Sequence, residues 1–116
     1  MDELQRRLAA LNDKFRAQLP AQLDEIERAM AACAMREGAD PMAARSLMQH
    51  LYRALHGLSG AAGTFGMADL GHDAYAMEQR LQNVLALPEA QWPPAIAALQ
   101  SQLGDWLALV RLRLAA

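Results

Sequence analysis

Apolar residues recur three or four positions apart along almost the whole chain, and this spacing restricts the fold more than any other feature. It places the apolar side chains on one face of an α-helix. β-branched residues, which favour strands, are few, and no segment alternates apolar and polar residues as a strand would. The final segment shows the period clearly, with Ile96, Leu99, Leu103, Trp106, Leu107, Val110 and Leu114. The sequence therefore predicts an all-α protein.

Proline and glycine divide the chain into five predicted helices. The first covers residues 2 to about 18, and Pro20 is placed in the first turn of a second helix that ends near Gly38. The other three are predicted at about 41–66, at about 69–88 and from about 93 onward. With 116 residues the chain is expected to form a single domain, 1–116, and its short connections favour antiparallel neighbours. Its core, at about 20–115, is predicted to be an up-down antiparallel four-helix bundle, with 2–18 as a short accessory helix.

Charge and composition exclude several function classes. The formal net charge of −2 is too small to predict a nucleic-acid partner or binding to a membrane surface. No stretch approaches the roughly 18 consecutive apolar residues of a transmembrane helix, and the first residues lack the pattern of a signal peptide. Cys33 is the only cysteine, so no disulfide can form within the chain. We therefore expect a soluble, cytoplasmic protein, with a monomer as the default state.

One histidine, His56, is followed by a glycine-rich segment inside a predicted helix. Three interior glycines lower helix propensity by roughly 3 kcal/mol relative to alanine. On a helical wheel His56 lies opposite the leucines and shares the exposed side with small, polar and basic residues. These residues are the candidates for contact with a phosphoryl group or a docking partner: Arg45, Gln49, Tyr52, Arg53, Ser59, Gly60 and Gly63. An exposed imidazole with space around it is typical of a group presented to another protein, and the arginines favour an acidic partner or a phosphoryl group. The alternative is that the glycines only allow a neighbouring helix to approach closely.

The pattern around His56 continues into the next predicted helix. It comprises His56-x-x-x-Gly60, the run from Ala62 to Gly66, and Met77-Glu78. This pattern resembles the histidine phosphotransfer (HPt) domain family, most closely the HPt domain at the front of chemotaxis histidine kinases, and the resemblance extends over most of the chain. It implies a four-helix bundle in which His56 exchanges a phosphoryl group with an aspartate of a response-regulator receiver domain. It also implies that Glu78 orients the imidazole.

The resemblance implies a phosphoryl carrier and not a kinase, since the chain has no nucleotide-binding segment. The partners it implies are a receiver domain, a hybrid histidine kinase, or both. The chain itself is expected to bind no cofactor, and Mg²⁺ is expected on the receiver. Ser59 departs from the family, which usually has a lysine there to neutralise the incoming phosphate. Arg53, one turn before His56, is a candidate to supply that charge. The departure also leaves open a degenerate member that docks receivers without carrying phosphate.

The other two histidines give no sign of a metal site. His50 lies about 120° from His56 on the wheel, and His72 lies on the polar side of the next predicted helix. Neither has the spacing of zinc ligands such as His-Glu-x-x-His. We therefore predict no metal site in the chain.

Overall fold

The computed structural model describes residues 2–36 and 40–116, and these residues form four α-helices. They are α1 (Glu3–Arg36), α2 (Pro41–Thr64), α3 (Ala68–Leu85) and α4 (Trp92–Ala115), with a short 3-10 turn, Glu89–Gln91, before α4. No strand occurs within the described ranges. The all-α prediction is confirmed. No helix in those ranges is long and apolar enough to cross a membrane.

The structure has one helix, α1, where the sequence predicted two. The separate helix predicted at 2–18 is not present, because Pro20 lies inside α1 and does not end it. Phe15, Leu19 and Leu23 are all buried, so one apolar face continues past the proline. Pro20 itself is exposed and removes only one backbone N–H, a loss that the buried neighbours offset. The predicted helix end near Gly38 lies outside the described residues.

The other boundaries lie close to those predicted, and local chemistry explains them. The Asp40 side chain accepts a hydrogen bond from the backbone N–H of Ala43 at 3.1 Å, and Pro41 is the first residue of α2. Gly66 follows α2 with a φ of 81°, a left-handed conformation that favours glycine. Trp92, whose indole N–H donates to the carbonyl of Leu87 at 3.1 Å, begins α4.

The four helices form a bundle around one apolar core. Across the α1–α2 boundary the thiol of Cys33 lies 3.7 Å from the carbonyl of Ala44, and the rings of Phe15 and Phe65 lie 5.5 Å apart. These pairs have the order that antiparallel neighbours produce. On the surface, Arg111 of α4 pairs with two carboxylates of α1. The largest fully buried side chains come from all four helices: Trp92, Leu19, Leu23, Ile26, Met48, Leu51, Leu55, Leu81, Ile96, Leu103, Leu107 and Cys33.

Candidate functional site

His56 of α2 and Glu78 of α3 form a pair across the boundary between the two helices. The Nδ1–H of His56 donates to Oε1 of Glu78 at 3.1 Å. The two partners differ sharply in exposure, since the side chain of His56 is 70% exposed and that of Glu78 only 4%. Glu78 is the only buried charged residue within the described ranges. A buried carboxylate that supports an exposed imidazole is an arrangement suited to chemistry at the imidazole.

This hydrogen bond assigns the tautomer of His56. An ionised carboxylate can only accept hydrogen bonds, so the nitrogen that faces it must carry the hydrogen. In the neutral imidazole the lone pair then lies on Nε2, the nitrogen that does not contact Glu78. The neutral ring therefore keeps its unprotonated nitrogen, Nε2, away from Glu78, and the hydrogen bond to Glu78 fixes this tautomer.

Gly71 sets the distance between α2 and α3 at this site. A Cβ added at Gly71 would lie 3.0 Å from the backbone oxygen of Ser59 and 3.2 Å from the backbone nitrogen of Gly63. The two backbones thus lie so close that a side chain at this position would require them to shift by a few tenths of an ångström. Sequence reasoning missed Gly71. Its spacing of seven residues from Glu78, which places both on one face of α3, is the signal that points to it.

The glycines that follow His56 have a different role. A Cβ added at Gly57, Gly60 or Gly63 would meet no atom within 4 Å, and all three residues are exposed. These glycines do not serve close packing of a neighbouring helix. Instead they leave the surface beside the imidazole free of side chains, as the helical wheel predicts.

Tyr52 lies one turn before His56, and its ring is stacked on the imidazole. The two ring centroids are 5.9 Å apart, and the planes differ by 11°. The phenol oxygen accepts a hydrogen bond from Nε2 of Gln82, on α3, at 3.2 Å. Hydrogen bonding of the phenol towards Glu78 raises the pKa of Tyr52 above its usual value. Sequence reasoning included Tyr52 but missed Gln82, because only the register of α3 against α2 brings the two together.

Comparison with known protein families gives an independent result. The model of the family described as "Hpt domain" matches residues 2–111, essentially the whole chain. The chain belongs to the Hpt domain family. Members of this family are phosphotransfer modules of two-component signalling and interact with response-regulator and kinase partners. Neither a curated protein nor a solved structure matches the chain significantly.

The two arginines predicted on the exposed face of this Hpt domain have different surroundings. Arg53 is exposed and makes no ion pair or hydrogen bond with any described residue, and it lines the same groove as Gln49 and Tyr52. Arg45 lies eleven residues before His56, about 16 Å along the helix. Its guanidinium lies 3.9 Å from the Glu89 carboxylate and 4.8 Å from the Trp92 ring centre. Arg45 thus lies apart from His56, whereas Arg53 is available to an anion near it.

The remaining predicted site residues lie beside His56 on α2. Ser59 is half-buried, and its hydroxyl makes no hydrogen bond to a described residue. Gly60 accepts a hydrogen bond at its carbonyl from the hydroxyl of Thr64 at 3.0 Å. His50 is away from the site, where it contacts Glu25 of α1 at 3.1 Å. No group of three or more potential metal ligands occurs among the described residues.

Proposed function

We propose that His56 accepts a phosphoryl group from the aspartate of a response-regulator receiver domain and can return it. The single observation that carries this proposal is the 3.1 Å hydrogen bond from the exposed imidazole of His56 to the buried carboxylate of Glu78. It leaves Nε2 as the nucleophile. The surface beside it is open, because Gly57, Gly60 and Gly63 have no side chains. We infer that this surface, on an up-down bundle, is the one that the receiver contacts.

The transfer step follows from the tautomer of His56. The Nε2 lone pair attacks the phosphorus of the aspartyl phosphate, an N–P bond forms, and the bond from phosphorus to the aspartyl oxygen breaks. The electron pair of that bond leaves with the regenerated carboxylate. The phosphorylated ring carries a positive charge and keeps its hydrogen on Nδ1, where Glu78 accepts it and stabilises the charge. Return of the phosphoryl group reverses the same steps.

Positive charge near the transferred group comes from both partners in this proposal. Arg53, one turn before His56, has no ion pair within the described ranges and is exposed. It is therefore the residue of this chain best suited to compensate for the lysine that Ser59 replaces. The receiver would supply Mg²⁺, which neutralises the phosphate oxygens during transfer. The chain contributes the nucleophile, its orientation and the docking surface.

The test compares wild type with His56→Gln after mixing with a phosphorylated receiver domain. We expect wild type to gain acid-labile phosphate and His56→Gln to gain none, while both bind the receiver with similar affinity. His72→Gln is the matched control, because His72 is an exposed histidine of α3, and it should behave as wild type. A wild-type protein that binds the receiver but never takes up phosphate would instead identify a docking module, and the carrier proposal would be wrong.

A further inference from the structure

We propose that Tyr52 is a positioning residue for His56: it holds the imidazole against Glu78 so that Nε2 points outward. The inference rests on the proposed function, because it concerns the orientation of the reacting ring. It goes further by assigning a positioning role to two side chains, those of Tyr52 and Gln82, that act through their contacts with His56 and with each other.

An exposed histidine such as His56 would otherwise be free to rotate. A side chain that is 70% exposed has few neighbours to restrict its rotamers, and a single hydrogen bond does not fix the plane of the ring. The ring of Tyr52 lies nearly parallel to the imidazole, with planes 11° apart and centroids 5.9 Å apart. It therefore covers one face of the imidazole and restricts rotation of the ring away from Glu78.

Helix α3 holds the rings of both Tyr52 and His56 by hydrogen bonds from one of its faces. On α2, Tyr52 and His56 are four residues apart, and on α3 so are Glu78 and Gln82. Glu78 accepts from the Nδ1–H of His56 at 3.1 Å, and the amide of Gln82 donates to the Tyr52 oxygen at 3.2 Å. The two hydrogen bonds are thus successive links between the helices, one turn apart. Gln82 fixes Tyr52, and Tyr52 in turn supports His56.

The second carboxylate oxygen of Glu78, Oε2, lacks a hydrogen-bond donor. Oε2 of Glu78 is buried and has no hydrogen-bond partner of good geometry. The phenol of Tyr52 already accepts from Gln82, so its own hydrogen is available for donation, and its hydrogen bonding towards Glu78 raises the pKa of Tyr52. A small movement of the phenol would supply the donor that Oε2 lacks. Tyr52 is then placed to hold the carboxylate as well as the imidazole.

The test measures the tautomer of the neutral form of His56 by nitrogen-15 NMR, which distinguishes a protonated from an unprotonated ring nitrogen. In wild type we expect the hydrogen to lie mainly on Nδ1. Tyr52→Ala should lower the ratio of the Nδ1–H to the Nε2–H tautomer by about three- to tenfold. Tyr52→Phe, which keeps the ring and loses the phenol, should give an intermediate ratio. Gln82→Leu, an exposed change that leaves Tyr52 in place, should shift the ratio in the same direction.

The matched control is Tyr75→Phe, because Tyr75 is the other tyrosine of the chain, is exposed and lies on α3. It should leave the tautomer ratio unchanged. The rate of phosphoryl uptake should fall in the order wild type, Tyr52→Phe, Tyr52→Ala, with folding checked by circular dichroism. A wild-type tautomer ratio in folded Tyr52→Ala and in Gln82→Leu would overturn the inference. If wild type takes up no phosphate, the proposed function fails, while the tautomer ratios still decide the role of Tyr52.

Discussion

Ser59 lies three residues after His56, at the position where the family usually has a lysine. Its hydroxyl is short and makes no hydrogen bond to the described residues, so it can offer an incoming phosphate one hydrogen bond but no charge. The nearest compensating cation on the same helix is Arg53. This Hpt domain thus has the imidazole–carboxylate pair of His56 and Glu78, but less positive charge beside His56 than a lysine at position 59 would give.

Restoring the lysine should speed the reaction. We expect Ser59→Lys to increase the rate of phosphoryl transfer from a receiver by about three- to tenfold, because a cation within a few ångströms stabilises the added negative charge. The measurement is the time course of phosphate uptake by quenched flow. Ser101→Lys, an exposed change on α4 with the same effect on net charge, is the control and should leave the rate unaltered. Equal rates for both variants and wild type would show that Arg53 already supplies the charge or that none is needed.

The helices α2 and α3 use glycine in opposite ways. Gly71 has no side chain at the point where the two backbones approach each other. Gly57, Gly60 and Gly63 lack side chains at positions where an added Cβ would meet no atom within 4 Å. Gly71 fixes the distance between the helices that carry His56 and Glu78, although the backbone of Gly63 lies at the same close approach. The other three glycines keep the exposed surface beside His56 open at a cost in helix propensity.

Gly71→Ala should therefore be destabilising. Its Cβ would lie 3.0 Å from the backbone oxygen of Ser59, so α3 must move away from α2. We expect a loss of about 1–3 kcal/mol in the free energy of unfolding, measured by urea denaturation. Gly104→Ala is the control, because its Cβ would meet nothing within 4 Å inside α4, and it should add up to about 1 kcal/mol. A stability gain at both positions would contradict the close approach at Gly71.

Gly60→Ala should increase stability and slow phosphoryl transfer. The added methyl meets no atom of the chain, so we expect the free energy of unfolding to rise by up to about 1 kcal/mol. Because the methyl occupies the surface beside His56, phosphoryl transfer from a receiver should become slower. Stability is measured by urea denaturation and transfer by phosphate uptake, with Gly104→Ala as a variant that gains stability alone. An unchanged transfer rate in Gly60→Ala would show that the receiver does not need this space.

The sequence predicted individual helices better than their mutual register. The apolar period identified α2, α3 and α4 with boundaries close to those observed, and Asp40 and Pro41 marked the start of α2. The break at Pro20 was wrong, because a local rule about proline was outweighed by burial on both sides of it. Gly71 and Gln82 were missed, since their importance depends on which turn of α3 faces which turn of α2. Periodicity along one helix contains no information on that register.

At the scale of the whole molecule, α1 is longer than the other helices of the bundle. It has 34 residues, whereas α2 and α4 have 24 each, and the molecule measures 56 × 24 × 18 Å. The first turns of α1 consequently leave three leucines of its apolar face, Leu4, Leu8 and Leu11, exposed. The core begins at Phe15.

Stability should therefore reside in the later part of α1. Leu23→Ala, at a fully buried position, should lower the free energy of unfolding by about 2–5 kcal/mol. Leu8→Ala, a chemically identical change on the same helix at a residue that is 50% exposed, should alter it by less than about 0.5 kcal/mol. Both free energies are measured by urea denaturation, with the same dependence of the free energy of unfolding on urea concentration for the two variants. Comparable losses at the two positions would mean that the start of α1 is also packed against the bundle.

The central claim is that His56 carries the phosphoryl group, and locating the phosphate tests it most directly. Wild-type protein is incubated with a phosphorylated receiver domain and examined by phosphorus-31 and nitrogen-15 NMR. We predict one acid-labile phosphate bonded to Nε2 of His56, with the hydrogen on Nδ1 still donated to Glu78. Phosphate on His50 or His72, or no phosphate on the chain at all, would contradict it.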